Sequence, residues 1–229
     1  MLIPCIDLQG GQAVQLIHGR KRALAIADVF SLLEKFQDYP WLHLIDLDAA
    51  VGKPSNDSLL RQLIRRAAHD FRFRVRVGGG IRTIRRAAQL ADLGANQLII
   101  GSAAFRNGRP NTRFLRALEE TVSRARIIVA LDTAKGRIAV NGWRRSLALN
   151  PADVMPAFEP FCSGFLCTDI DREGTMTGAN LAYFRSLRAA TGLPIIAAGG
   201  ITSRREIRAL EKIGMDAAVG MALYKNRLR

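Results

Sequence analysis

Several carboxylates of this chain stand directly at the end of a largely apolar run. Ile3-Pro4-Cys5-Ile6 leads into Asp7, and Leu44-Ile45 into Asp46, with Asp48 two residues on. Val129-Ala130-Leu131 leads into Asp132, and Phe165-Leu166-Cys167-Thr168 into Asp169. An acid at the tip of a strand either moves protons for a ligand or ties down a loop. Asp7 and Asp132 are read as groups that do chemistry, because they follow the first and fifth of eight strands and so face each other across a closed barrel. Asp46, Asp48 and Asp169 are read as supports.

Glycine is the second chemical signal. Gly78-Gly79-Gly80 follows a strand and precedes a helix capped by Thr83, and Gly199-Gly200 does the same ahead of Ser203. Glycine lets backbone N–H groups approach an anion, and the helix N-terminus adds positive potential. Gly101-Ser102 and Gly220-Met221 follow the neighbouring strands. Together they predict two phosphate sites on opposite sides of one mouth. A single such turn would say little, since tight turns need glycine anyway.

The elements that must position these groups alternate from end to end. Strand-like runs fall at Leu2–Ile6, Leu42–Leu47, Phe73–Val77, Gln97–Ile100, Ile127–Leu131, Gly164–Cys167, Pro194–Ala197 and Asp216–Val219. Helix-like stretches fall at Asp28–Phe36, Asp57–Ala68, Ile84–Leu93, Thr112–Thr121, Pro151–Phe158, Leu181–Ala190 and Arg204–Ile213. Ser55 to Ser58, Thr83, Asn150 before Pro151, and a Ser203-x-x-Glu206 box supply N-caps. Gly94 and Gly214 end helices. Strand–helix alternation means a parallel sheet, and eight strands within 229 residues mean a (β/α)₈ TIM barrel, one domain over 1–229. The last helix, after Gly220, is expected to be very short. The chain also reads as two half-barrels. Asp7 matches Asp132, Gly79-Gly80-Ile81 matches Gly199-Gly200-Ile201, and Gly101 matches Gly220, all about 120 residues apart.

Three connections are long: Leu8–Ala27, Thr133–Asn150 and Asp169–Asn180. Long loops in a compact barrel tend to cover sites. Asn141-Gly142 suggests a hairpin turn that would hold Trp143 over the mouth, either stacked on a planar ring or packed within its loop. The third loop, Asp171 to Gly178, is polar and glycine-hinged. His18 is read as a loop residue, and no metal-ligand cluster is seen.

Composition narrows the classes. There are 34 basic and 20 acidic residues, a net charge of +14, but the arginines (Arg61, Arg65, Arg66, Arg72, Arg74, Arg76, Arg82, Arg85, Arg86) are spread as a solvated surface. Aromatics are 7% and do not interleave with them, so no nucleic-acid partner is expected. No apolar run approaches the roughly 18 residues of a membrane span, and the start lacks a basic region before Pro4, so a cytoplasmic protein is expected. Cys5, Cys162 and Cys167 are read as small buried apolar groups.

The motifs resemble those of a known family. Ile3 to Leu8, His43 to Asp48, Gly78 to Arg82, Gly142-Trp143, Thr168 to Thr175 and Ala198 to Ile201 are similar, in order, to the HisA family, the phosphoribosylformimino-AICAR-phosphate isomerases of histidine biosynthesis. The resemblance implies an Amadori rearrangement of a bisphosphorylated aminoaldose (ProFAR) to an aminoketose (PRFAR), with no metal or cofactor; a monomer is expected. It implies that Asp7 is the proton acceptor and Asp132 the donor. Thr168 and Glu173 would lie near the reacting sugar, and Arg82 and Trp143 would touch substrate. Glu173 stands where many relatives have Asp, which leaves the donor open between Asp132 and Glu173. Gln15 stands where relatives often have Arg. Alternatives are an enzyme that also isomerises phosphoribosyl-anthranilate, or a basic barrel that only binds. The sister cyclase is disfavoured, because Gln15 to Gly19 holds no lysine.

Overall fold

A computed structural model describes residues 1–228 and contains all eight expected strands. They are β1 (Leu2–Gln9), β2 (Trp41–Asp46), β3 (Arg74–Gly78), β4 (Gln97–Ile100), β5 (Ile127–Ala130), β6 (Gly164–Thr168), β7 (Ile195–Ala198) and β8 (Met215–Val219). Each pairs in parallel with its neighbour, and β8 returns to β1 with Leu2 opposite Ala217 and Pro4 opposite Val219, which closes the barrel. Below, loop n is the segment leaving strand βn.

The helices are α1 (Ser31–Lys35), α2 (Leu47–Ala50), α3 (Asp57–His69), α4 (Ile84–Asp92), α5 (Thr112–Val122), α6 (Pro151–Phe158), α7 (Leu181–Ala190), α8 (Arg204–Lys212) and α9 (Met221–Tyr224). Each longer helix turns one apolar stripe to the sheet. In α3 that stripe is Leu60, Leu63, Ile64 and Ala67, at the spacing of one helical face. Burying a leucine of this kind stabilises by about 1.5–3 kcal/mol. Thr83, Asn150 and Ser203 cap α4, α6 and α8 through their side chains, and Ser203 with Glu206 forms the full capping box. Asn56 precedes α3 without capping it, because its amide turns to Asp46 and Asp48 instead.

The expected helix over Asp28–Phe36 is only the five residues of α1. The expected long loop Leu8–Ala27 is mostly regular structure. Strands Gln12–Ile17 and Lys21–Ile26 form an antiparallel arm continuous with β1, with Asp7 opposite Val14 and Ala13 opposite Ile26. Loop 5 folds into short antiparallel strands that turn at Asn141-Gly142, the hairpin anticipated there. The final helix α9 has only four residues, but its Tyr224 is buried and its hydroxyl donates to the Cys5 carbonyl at 3.0 Å.

One charged residue departs from the solvated-surface expectation. Arg76 is 6% exposed and lies inside the barrel. Its guanidinium sits 3.7 Å from the centre of the Trp41 ring, and its Nε donates to Gln97 Oε1 at 2.6 Å. The physical reason is strand phase. Val75 and Val77 face the helices and are fully buried, so the residue between them must point inward. Stacking on an aromatic face and a hydrogen bond make the buried charge tolerable.

Candidate active site

Alternation along each strand decides which acids enter the barrel. On β1, Ile3 and Cys5 face inward, and Asp7 continues that face. After β5, Ile128 and Ala130 set the phase for Asp132; on β6, Leu166 sets it for Thr168. Asp46 and Asp169 fall on the other phase. Asp46 accepts from Ser55 Oγ at 2.6 Å, the Asn56 N–H at 2.9 Å and the Ala49 N–H at 3.0 Å, and so ties loop 2 together. Asp48 accepts from the Gly10 N–H at 2.6 Å. Asp46 and Asp48 thus brace loops, and Asp169 lies 3.8 Å from the Arg172 Nε of its own loop.

Asp7, Asp132, Thr168 and Glu173 line one cavity of about 240 Å³ at the C-terminal end of the strands. Gly79, Gly80, Arg82, Gly101, Ser102, Trp143 and Gly220 line it too. Gly199, Gly200, Gly220 and Met221 line a smaller adjoining pocket, which shares Glu173 and Gly220 with the first. Every site residue expected from the sequence therefore reaches the mouth, with Gly199 and Gly200 lining the smaller pocket and Gly220 lining both.

The carboxyls are poorly solvated, and this governs their protonation. Burial pushes Asp7 up to about 7. Glu173 is pushed up to about 8, first by burial and then by the charges of Asp7, Asp132 and Asp169. Asp132 is also raised by burial, but hydrogen bonds from Thr168 and Trp143 pull it back. The Trp143 bond runs from Nε1 to Asp132 Oδ2 at 2.8 Å. Burial thus raises all three acids, and Glu173 keeps its proton to a higher pH than Asp7. Among the described residues no group of three or more His, Cys, Asp or Glu could hold a metal ion.

The glycine turns repeat at atomic detail. Gly79 has φ +93° and Gly199 has φ +103°. A Cβ on Gly79 would collide with the backbone of Asp46, and one on Gly199 with the backbone of Asp169. Gly101 and Gly220 share another unusual conformation, with φ/ψ of −93°/−110° and −106°/−90°, each opening one short helical turn. The half-barrel repeat therefore extends to backbone geometry. Gly79→Ala and Gly199→Ala are each expected to cost more than about 1 kcal/mol of stability, from a disallowed φ and a backbone clash that no rotamer relieves. Urea unfolding of the two variants measures it.

Four residues acquire places that the sequence did not reveal. Cys162 and Cys167 are buried, but Cys5 is half-buried on the cavity floor, because it shares the inward phase of Asp7. His43 is 1% exposed on the same floor, with Nε2 lying 3.4 Å from an Arg76 nitrogen. Burial and the Arg76 charge lower its pKa, so it is neutral. Gln15 is 1% exposed, with its amide nitrogen unpartnered, and packs against Gly220. Arg82 lines the cavity, but its guanidinium donates to the carbonyls of Ala49 at 2.9 Å and Ala50 at 2.7 Å, bracing loop 2. The inward phase of strands β1 and β2 was the available signal for Cys5 and His43.

A closed (β/α)₈ barrel of two matching halves, with Asp7, Asp132 and Glu173 brought to one end, defines a class of barrel with a carboxyl-lined mouth. The chain belongs to the histidine biosynthesis protein family, whose model matches residues 1–229. It is 33% identical over 230 residues to a protein of Methanocaldococcus jannaschii, covering 98% of this chain and 94% of that one. It is 33% identical over 233 residues to a protein of Aquifex aeolicus, covering 99% and 94%. It is 34% identical over 235 residues to a protein of Methanococcus voltae, covering 100% and 94%. All three are named 1-(5-phosphoribosyl)-5-((5-phosphoribosylamino)methylideneamino) imidazole-4-carboxamide isomerase.

Proposed function

We propose that this protein is the isomerase of histidine biosynthesis that converts ProFAR to PRFAR by an Amadori rearrangement, with residues 1–229 working as one barrel. The observation that carries the reading is the pairing of two symmetric glycine turns with three poorly solvated carboxyls at one mouth. The substrate has a phosphate at each end and its reacting carbons between. Gly79, Gly80, Gly101 and Ser102 would take one phosphate; Gly199, Gly200, Gly220 and Met221 the other.

The reaction only moves protons, so its balance closes within the site. An acid protonates the ribose ring oxygen, the C1′–O bond breaks, and the nitrogen lone pair gives a Schiff base. A base then takes the C2′ proton, leaving an enolamine that becomes the ketone when C1′ is protonated. Asp7, with a pKa of about 7, is a strong base for a carboxylate and still ionises near neutrality. Glu173, at about 8, holds a proton at the same pH and is the donor. Asp132 is held by Trp143 and Thr168 to accept from the sugar hydroxyls. Placement beside a fixed acid and base is how the site lowers the barrier.

The test is turnover of the purified protein on ProFAR, read by coupling to the cyclase, with phosphoribosyl-anthranilate in parallel. Turnover of ProFAR alone is expected. The anthranilate carboxylate would meet three acids, and the arginine lining the cavity already bonds to two carbonyls. Folded protein that turns over neither compound would overturn the reading. No helix among the described residues is long and apolar enough to cross a membrane. We further propose that the protein acts as a cytoplasmic monomer, which light scattering during size exclusion would test.

A further inference from the structure

Loops 5 and 6 carry Trp143 and Glu173 beyond the ends of their strands, so something else must fix these residues over the cavity. The tip of the β1 arm touches both. The His18 N–H donates to the Glu173 carbonyl at 2.9 Å, and His18 Nδ1 lies 3.0 Å from the Ile170 carbonyl. A carbonyl only accepts, so Nδ1 carries the proton in this pairing. Beside it Gly174, at φ +73°, fits so closely under the Leu16 carbonyl that a Cβ has no room. Gly19 lies equally close to the six-membered ring of Trp143, whose indole N–H holds Asp132. Asp7 stands at the root of the same arm, paired with Val14.

We propose that His18 is a positioning residue of the active site, clipping the arm to loop 6 by two hydrogen bonds and thereby setting the place of the Glu173 carboxyl. The inference rests on the isomerase reading above. His18 does not itself line the cavity; it touches the lining only at the Glu173 backbone and acts through loop 6. Its side chain is exposed, so the clip contributes to local geometry and little to global stability.

His18 has φ +50°, a conformation that Gly and Asn accept more readily than Ala or Gln. That separates backbone from side-chain effects. An Asn amide nitrogen occupies the place of Nδ1; a Gln amide nitrogen reaches past it. With ProFAR as substrate, His18→Asn is expected to keep near-normal kcat. His18→Gly, His18→Ala and His18→Gln should each lose about tenfold in kcat, the scale of one hydrogen bond, with KM little changed. Amide exchange at residue 18, read by NMR, should accelerate in those three variants and stay slow in His18→Asn. A His18→Gly variant as active as His18→Asn would overturn the proposal, because backbone conformation would then be the whole effect. So would normal kcat in all four. Failure of wild-type protein to turn over ProFAR would instead count against the isomerase reading, whatever the exchange data show.

Discussion

Asp7→Asn is expected to lower kcat on ProFAR by about a thousandfold, the scale of losing a general base, while the substrate still binds. Asn keeps the shape and the β1 position but cannot accept the C2′ proton. Equilibrium dialysis of the variant with ProFAR should show a dissociation constant within a few-fold of the wild-type KM. The same change has a stability signature of opposite sign. In the unfolded chain Asp7 titrates at its ordinary 3.8, and in the barrel at about 7. Between those values the native state binds more protons than the unfolded state. Wild-type stability therefore falls as pH rises through that window and levels off above it. Asn carries no such penalty, so the variant should be more stable than wild type at pH 8 and closer to it at pH 4. Urea unfolding at both pH values checks this. Near-normal turnover would remove Asp7 from the base role, whatever the stability shows.

The barrel was legible because its strands are short, apolar runs between helices with clear caps. Gln97–Ile100, Pro151–Phe158 and Leu181–Ala190 fall at the bounds expected from sequence, and Thr83, Asn150 and Ser203 cap as their types predict. The site acids were legible for a related reason: period-two alternation carries Asp7 and Asp132 inward and leaves Asp46 and Asp169 outside. The β1 arm was missed because its second strand, Lys21–Ile26, has mostly exposed side chains and no apolar pattern. Its pairing rests on backbone hydrogen bonds. The signal was the turn Gly10-Gly11, with φ +58° and +76°, set between Gln9 and Gln12 as in a tight hairpin. Arg76 was missed because charge was equated with solvent. In a parallel barrel the helix-facing side of a strand is the apolar one, so a polar residue of the opposite phase goes inside and must find partners there.

That interior chemistry sets the second large effect. In the proposed mechanism turnover needs Asp7 ionised and Glu173 protonated at once. As pH rises through about 7 Asp7 becomes competent, and as it rises through about 8 Glu173 loses the proton it must donate. The pH profile of kcat/KM should therefore be a narrow bell with its maximum between those values. Its limbs belong to the coupled set of acids rather than to either residue alone. Glu173→Gln should lower kcat at the maximum by at least about a hundredfold and flatten the alkaline limb. Asp132→Asn should leave that limb in place, because Asp132 is held as an acceptor by Trp143 and Thr168. If Asp132→Asn removes the alkaline limb and Glu173→Gln retains it, the donor is Asp132. The charge of Asp7 is also one cause of the raised Glu173 value, after burial. Asp7→Asn should then let the Glu173 carboxyl titrate below 8, as carbon-13 NMR of labelled glutamate would show. Acid and base would thus be linked by their charges as well as by the substrate between them. The base, by carrying its charge in the same poorly solvated cavity, would add to the burial that keeps the acid protonated in the pH range where both must work.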